Sequence, residues 1–533
     1  MRPEKKSWLF VIILSLIVTI LNATAFIKGL ILQPPNTVYM GMVHYFEDYF
    51  YYLNNFWQGA HGAWLVANRY TAEHTAPGFN YWLDLLMGKI GGVFGLSPVW
   101  SYNLWLILLV FVTLLASYIL IRKFLPKQHF ASVLAFLFAL FATSMMRITN
   151  GRIDWFPVHE VSSDHYAFDR LTSVPRHTAE ALLFYLLTLI VFTKPVSPFA
   201  IILIWLLTIT NPVMGGVFIG VLLLYNVLAR LKRLAAPTIP WSTILMLTAP
   251  AVMAYLYMSF IMTTPPHMQA KAWEATQQTY PSLMYFFLSA GPMYVLAAIG
   301  VIAYFIAPQP LILFCVILVV STHLIYFSPI PAALGVVHGR FIFGALYPFI
   351  GILSVNGIRT IGLLVAKIIP WLKIKTIMLI LFIIFFSLSL PTLAWEFTNK
   401  LSEGSPANPY KFLNYVPADE YRGFEYLSHK LPYDDATLGA YMSRTDLLVP
   451  ALTGHTGYSG HAIETMNDPE KNRLNVAFFS MQMSVFEAQS WFKGNNIRYV
   501  VFTPADGSRE VFESHYPFLE RIFTNPAIAV YRL

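Results

Sequence analysis

Apolar residues run in long blocks with short polar breaks up to Trp395, and the pattern then falls back to an ordinary mixture of apolar and polar positions. The first block, Trp8 to about Phe26, follows Arg2, Lys5 and Lys6 and has the layout of a signal peptide, with Ala23-Thr24-Ala25 placed like a cleavage site. Its length decides otherwise. A stretch of about 20 apolar residues crosses a ~30 Å hydrocarbon core, whereas a secretory apolar region has roughly 7–15. The block reads as a retained first span with a cytoplasmic N-terminus. Further spans are predicted at 99–121, 130–148, 178–193, 197–210, 213–229, 242–262, 283–306, 310–327, 338–358 and 376–394, about eleven in all. The break between 197–210 and 213–229 rests on Asn211-Pro212, where proline ends a helix; a re-entrant pair is the alternative. An odd count places the C-terminus outside.

Three loops on the predicted outer side and the tail carry most of the polar chemistry. The first loop, 28–98, is about 70 residues long and apolar enough to lie on the membrane as amphipathic helices. One such helix is predicted from about Asn80 to Phe94, with Tyr81, Trp82, Leu85, Leu86 and Ile90 at three- to four-residue intervals. The second loop runs from Asn150 to His177 and the third from Thr263 to Ser282. Residues 396–533 form a unit of ordinary domain size. Strands are predicted there at 436–441, 497–503 and 527–532, and helices at 418–430, 469–479 and 485–493, which is an α/β pattern. The Gly-rich segment Thr453 to His461 lacks the Gly-Lys-Ser/Thr ending of a phosphate loop and reads as a surface turn. The predicted architecture is a polytopic α-helical membrane domain, 1–395, followed by a soluble extracytoplasmic α/β domain, 396–533.

Composition agrees. Charged residues are 12% of the chain against about 25% in soluble domains, and 57% are hydrophobic, which excludes a soluble enzyme. Aromatic residues, at 16%, are too many for a disordered chain and suit two interfacial belts. The net charge of +8 would invite a nucleic-acid reading, but residues after Trp395 hold 12 Lys/Arg against 16 Asp/Glu. The basic excess therefore belongs to the membrane part. It lies in predicted inner loops, at Arg122, Lys123, Lys127, Lys194, Arg230, Lys232, Arg233, Arg359, Lys367, Lys373 and Lys375, where it sets orientation. No nucleic-acid partner is expected. Apart from Glu4, every acid before Trp395 falls on the outer side: Glu47, Asp48, Glu73, Asp84, Asp154, Glu160, Asp164, Asp169, Glu180 and Glu274. The single cysteine, Cys315, excludes an intrachain disulfide and reads as a core residue.

One chemistry against which these acids can be weighed is transfer of a sugar from a lipid-linked phosphate. The acceptor hydroxyl is a poor nucleophile while protonated, so a carboxylate must orient and deprotonate it, and adjacent Glu47 and Asp48 can supply one. The leaving phosphate needs cationic or metal stabilisation. Arg340, near the outer end of a span, and His338 beside it are candidates, the alternative for Arg340 being an interfacial snorkelling arginine. Arg147, Arg152, Arg170, Arg176 and Lys271 are further candidates. Asp48, Asp154, Glu160 and Asp164 are a candidate oxygen-ligand set for Mg2+ or Mn2+, the alternative being a solvated acidic loop. His159 and His165 lie six apart, not the four that a zinc-protease helix requires.

Glu47-Asp48-Tyr49-Phe50-Tyr51, Gly62-Ala63-Trp64, Ala76-Pro77-Gly78-Phe79-Asn80-Tyr81-Trp82 and Phe94-Gly95, in that order, resemble the first extracytoplasmic loop of GT-C membrane glycosyltransferases. The likeness is to the branch that uses polyprenyl-phosphate sugars, such as protein mannosyltransferases and aminoarabinose transferases. It covers about 100 residues closely and the remainder in layout. It departs at Thr75-Ala76-Pro77, where the family has Lys-Pro-Pro, and at Asn103-Leu104, where it has Arg-Leu. The Trp-Trp-Asp motif of oligosaccharyltransferase catalytic subunits is absent. The resemblance implies Asp48, or Glu47, as the catalytic carboxylate on the non-cytoplasmic side of the plasma (inner) membrane. It also implies membrane lipids, a polyprenyl-linked sugar donor and an extracytoplasmic glycan, lipid or protein acceptor as partners. The competing function is a lipid-linked glycan transporter, or a polysaccharide-assembly protein without transferase activity. Transport favours ionisable groups near the membrane midplane or paired broken helices, and neither is evident in the sequence.

Overall fold

The computed structural model describes residues 3–43, 45–149, 152–155, 167–172, 174–193, 197–231, 236–277, 283–403, 405–407, 410–430 and 435–533. The chain forms two compact units: 1–23, 106–259 and 274–400 make the first, and 24–105, 260–273 and 401–533 the second. The first outer loop and the tail thus fall in one unit.

The first unit is built of apolar helices, as its hydropathy requires. Among the described residues five helices are long and apolar enough to cross a membrane: Glu4–Ile31, Pro98–Phe124, Pro212–Ala229, Trp241–Ile261 and His338–Ile368. Ile374–Ser387 with Leu390–Ser402, bent by 51°, would make a sixth, and four more apolar helices are shorter. The protein is a multi-pass membrane protein. The difference from about eleven spans has identifiable causes. The stretch predicted at 130–148 is helical only over His129–Phe141; the chain then runs extended into a hairpin, Met146–Thr149 against Arg152–Trp155. Thr143 and Ser144 start this departure, and the Thr143 carbonyl accepts a hydrogen bond from the Ser389 hydroxyl at 3.0 Å. The stretch 283–306 breaks at Gly291-Pro292, because glycine takes φ +88 and proline opens the next helix, Pro292–Ile306. Asn211, as expected, ends Pro198–Thr210 and caps Pro212–Ala229 by accepting from the Met214 N–H.

Helices in this unit pack through small residues. A Cβ on Gly300 or Gly357 would collide with backbone carbonyls of the facing helix, so only glycine allows Pro292–Ile306 and Tyr347–Ile368 this close approach. Asn356 donates to the Gly300 carbonyl at 3.0 Å and Ser354 to that of Met293 at 2.9 Å, tying the same two helices. Cys315 is buried in this core.

The second unit contains a five-stranded mixed sheet in the order Thr456–Gly457, Ala436–Leu438, Ile497–Phe502, Ala529–Arg532, Glu520–Thr524. The first three strands are parallel and the last two antiparallel. All three strands and three helices expected in the tail are present within a few residues. Ser484 and Glu487 form a reciprocal capping box that starts Val485–Gly494. Thr37–Tyr39 pairs antiparallel with Tyr415–Pro417. The first loop contributes Phe46–Ala60 and Trp82–Val93, which meet at Gly59 and Gly88. The second of these is the predicted 80–94 helix. Phe46–Ala60 corrects the expectation of a helix lying on a surface, since every residue from Tyr49 to Gly59 except Tyr52 is buried. Its polar side chains bond within the same unit: Asn54 donates to the Pro450 carbonyl, Asn55 to Asp84 at 3.2 Å, and Gln58 to the Ala67 carbonyl at 2.9 Å, while Asn55 Oδ1 has no hydrogen-bond partner among the described residues. Segment 453–461, expected as a surface turn, is largely buried instead: it leaves the Thr445–Thr453 helix, supplies the edge strand Thr456–Gly457 of the sheet and meets the first loop. The Gly457 N–H donates to the Arg69 carbonyl at 2.7 Å.

Candidate active site

The acidic pair occupies the first turn of Phe46–Ala60, where the helix dipole favours negative charge. The two carboxylates have different surroundings. Glu47 is largely buried and pairs with Arg444, Oε1 to Nη2 at 3.2 Å, with both side chains 14% exposed. Asp48 is 43% exposed, and its Oδ1 lies 3.7 Å from Nε2 of the buried His461. Residues 444 and 461 both belong to the tail, Arg444 just before the Thr445–Thr453 helix and His461 at the end of the Gly-rich segment that follows it.

Arg444 adopts φ +58, an unfavourable conformation for a residue with a side chain, immediately before Thr445–Thr453. The position is held by its contacts. Besides Glu47, the guanidinium donates to the Gly460 carbonyl at 3.3 Å and lies over Phe46 and Tyr441. Tyr45, just before the pair, is pushed up to about 12 by its partial burial and by the negative charges of Glu47 and Asp48.

His461 accepts hydrogen bonds at Nδ1 from the backbone N–H groups of Ile463 (3.2 Å) and Glu464 (3.3 Å). Two donors at Nδ1 place the proton of the neutral ring on Nε2, the atom facing Asp48. Burial opposes a second proton on the ring, but Asp48, Glu464 and Glu47 outweigh it and draw the imidazole pKa upward. The ring is clasped by Tyr51 and Tyr70, with centroids at 5.5 and 5.9 Å.

Asp446, 1% exposed, is the second residue of the Thr445–Thr453 helix, with Oδ1 accepting from the Leu447 N–H at 2.8 Å and Oδ2 without a hydrogen-bond partner among the described residues. Burial drives its pKa up to about 7; Arg444 opposes this, while Asp468 and Glu47 add to it. Between pH 4 and 7 an unfolded chain releases this proton while the folded unit keeps it, so stability falls across that window and levels off above it. Thermal unfolding against pH should show this slope, and Asp446→Asn, which carries no titrating proton, should flatten it.

Lys471, 4% exposed, holds the first loop against the tail. Its Nζ donates to Glu73 at 2.6 Å, to the Thr71 hydroxyl at 3.1 Å and to the Tyr458 carbonyl at 3.0 Å. Burial lowers the lysine pKa against the opposing pull of Glu73.

The expected phosphate-binding residues are divided between the units. Arg340, 53% exposed, pairs with Glu274 at 3.1 Å. Arg176 pairs with the buried Glu180 at 3.3 Å and donates to the Thr210 carbonyl at 2.6 Å. Glu180 also accepts from Asn211 at 3.0 Å and feels the charge of Arg340. The first unit therefore brings Arg176 and Arg340 to one electrostatic cluster. His338 is buried, its Nε2 3.3 Å from the Ser328 carbonyl. Lys271 is exposed on His267–Thr276 and lies in the second unit. Arg170 lies over the Tyr347 ring at 3.5 Å and donates to the Ala142 carbonyl at 2.8 Å. The side chains of Arg147 and Arg152 are outside the described part.

Of the candidate metal set, Glu160 and Asp164 lie outside the described residues and Asp154 is described only in its backbone. Among the described residues no group of three or more His, Cys, Asp or Glu side chains is placed to hold a metal ion. The described surroundings of Asp48 include a ring N–H, a hydrogen-bond donor and not a further metal ligand.

Sequence reasoning missed Arg444 and His461. Their one signal was the concentration of His, Gly and Arg within 444–461 of an otherwise ordinary tail.

A membrane unit of apolar helices, with a long loop and a tail that meet in an α/β unit, is the fold of GT-C membrane glycosyltransferases. Among the solved structures it resembles is the oligosaccharyltransferase of Archaeoglobus fulgidus. Its structure tethered with an acceptor peptide aligns over 94% of this chain and 69% of that one, at 12% identity and a TM-score of 0.53. Its complex with an inhibitory peptide and a dolichol-phosphate aligns over 96% and 71%, at 12% identity and a TM-score of 0.51. ArnT from Cupriavidus metallidurans bound to undecaprenyl phosphate aligns over 98% and 97%, at 13% identity and a TM-score of 0.46. The sequence matches no family model and no curated protein.

Proposed function

We propose that the protein is an inverting glycosyltransferase that moves a sugar from a polyprenyl-phosphate or diphosphate donor to an extracytoplasmic acceptor. The acceptor hydroxyl attacks the anomeric carbon, its proton passes to a carboxylate, and the bond to the donor oxygen breaks as the lipid phosphate leaves. Asp48 is the base. The observation that carries this assignment is the unequal treatment of the pair: Glu47 is neutralised by Arg444, whereas Asp48 is 43% exposed at a helix N-terminus. Arg340 and Arg176, with Lys271, are assigned to the donor phosphate, where fixed cations stabilise the charge that develops on leaving. His338, beside Arg340, is assigned to the same phosphate. In this reading the N-terminus is cytoplasmic and the C-terminal unit faces outward at the plasma (inner) membrane. The dolichol-phosphate bound in the structurally similar oligosaccharyltransferase and the first-loop motifs of this sequence support the donor class.

The test is mass spectrometry of lipid-linked sugars and surface glycans in cells lacking the protein. The expected result is one accumulated polyprenyl-linked sugar together with one glycan, glycolipid or glycoprotein shortened by that sugar. Unchanged lipid-linked sugars would rule out the transferase reading.

A further inference from the structure

The tail supplies a group to the base itself. We propose that His461 is a positioning residue for Asp48: its Nε2–H fixes the carboxylate in the orientation from which it accepts the acceptor's proton. This inference rests on the reading of Asp48 as the base.

Three observations carry it. The first is direction. Nδ1 is held by the N–H groups of Ile463 and Glu464, so the ring has one donor left, and that donor faces Asp48 at 3.7 Å. The second is rigidity. The ring is 4% exposed and lies against Tyr51 and Tyr70, and its backbone N–H donates to the Thr465 hydroxyl at 3.1 Å. A side chain fixed on that many sides defines a direction for a partner that is half in solvent. The third is selectivity. Arg444 engages Glu47 from the same tail, so the two acids face different groups, the Arg444 guanidinium for Glu47 and the His461 ring N–H for Asp48. At 3.7 Å the contact is longer than a hydrogen bond, so in this proposal the exposed carboxylate must turn toward the ring when substrate binds.

The test uses the full-length protein, returned to cells lacking it as wild type, Asp48→Asn, His461→Phe and His461→Gln. Transfer is read by mass spectrometry of the missing product, beside protein level and thermal unfolding. H461F keeps the ring volume without the donor and should lower transfer by roughly ten- to a hundredfold, the scale expected when a reacting group is misplaced. H461Q restores an N–H near the same position and should recover most of the activity. H461F with full transfer, or H461Q no better than H461F at equal protein level, overturns the proposal while a dead D48N leaves Asp48 as the base. D48N with full transfer overturns both. A measurement independent of activity covers the case in which H461F does not fold. In nitrogen-15 histidine spectra of the purified protein, the signal lost in H461Q should show an Nε2-protonated ring and should shift in D48N. A signal that D48N leaves unmoved overturns the contact.

Discussion

Asp48→Asn should reduce sugar transfer by about 10²- to 10⁴-fold, the usual contribution of a general base, with expression and thermal unfolding close to wild type. The amide has the size of the carboxylate and still accepts a hydrogen bond at its oxygen, so the 43% exposed position tolerates it. What it cannot do is take the acceptor's proton at neutral pH. Glu47→Gln is the informative contrast. It removes the charge opposite Arg444, leaving a guanidinium that is 14% exposed without its carboxylate, and should therefore weaken the second unit more than D48N does. Product mass spectrometry and thermal unfolding of both variants separate the roles. If E47Q loses transfer at unchanged stability while D48N does not, the two assignments are exchanged.

Gly454→Ala should destabilise the second unit by roughly 3 kcal/mol, about a hundredfold in its folding equilibrium, from about 1–2 for backbone strain and about 1–3 for overpacking. Gly454 has φ +73, where a residue with a Cβ is strained, and that Cβ would enter the ring of Trp57 in the first-loop helix. Trp57 is 6% exposed and stacks on His61 with centroids 3.7 Å apart, so the ring has little room to move. Gly62→Ala is the control. It shares a positive φ, +96, but has no atom near its added Cβ, so only the backbone cost of about 1–2 kcal/mol remains. Thermal unfolding of purified variants measures both, and equal shifts would mean that the Trp57 contact contributes nothing.

The helical membrane class, the α/β character of the tail and the position of the acidic pair were legible in the sequence. Each depends on local pattern: hydropathy over a window, periodicity of apolar residues, and two adjacent acids in a long loop. Span boundaries were less so. A window that reads 130–148 or 283–306 as continuous cannot register that Thr143 has a tertiary partner in Ser389 or that Gly291 takes φ +88. Segment 453–461 misled for the same reason. Glycine, serine and threonine read as a solvent-exposed turn, whereas here the small residues let the chain pass buried beside Trp57 and the sheet.

The sequence by itself determined that this chain enters a membrane many times, because hydrophobic burial adds along the chain. Only the tertiary structure decided which of two neighbouring carboxylates is neutralised and which is half-exposed. That depends on Arg444, 397 positions from Glu47, and on His461, and no local pattern encodes a contact at such separation.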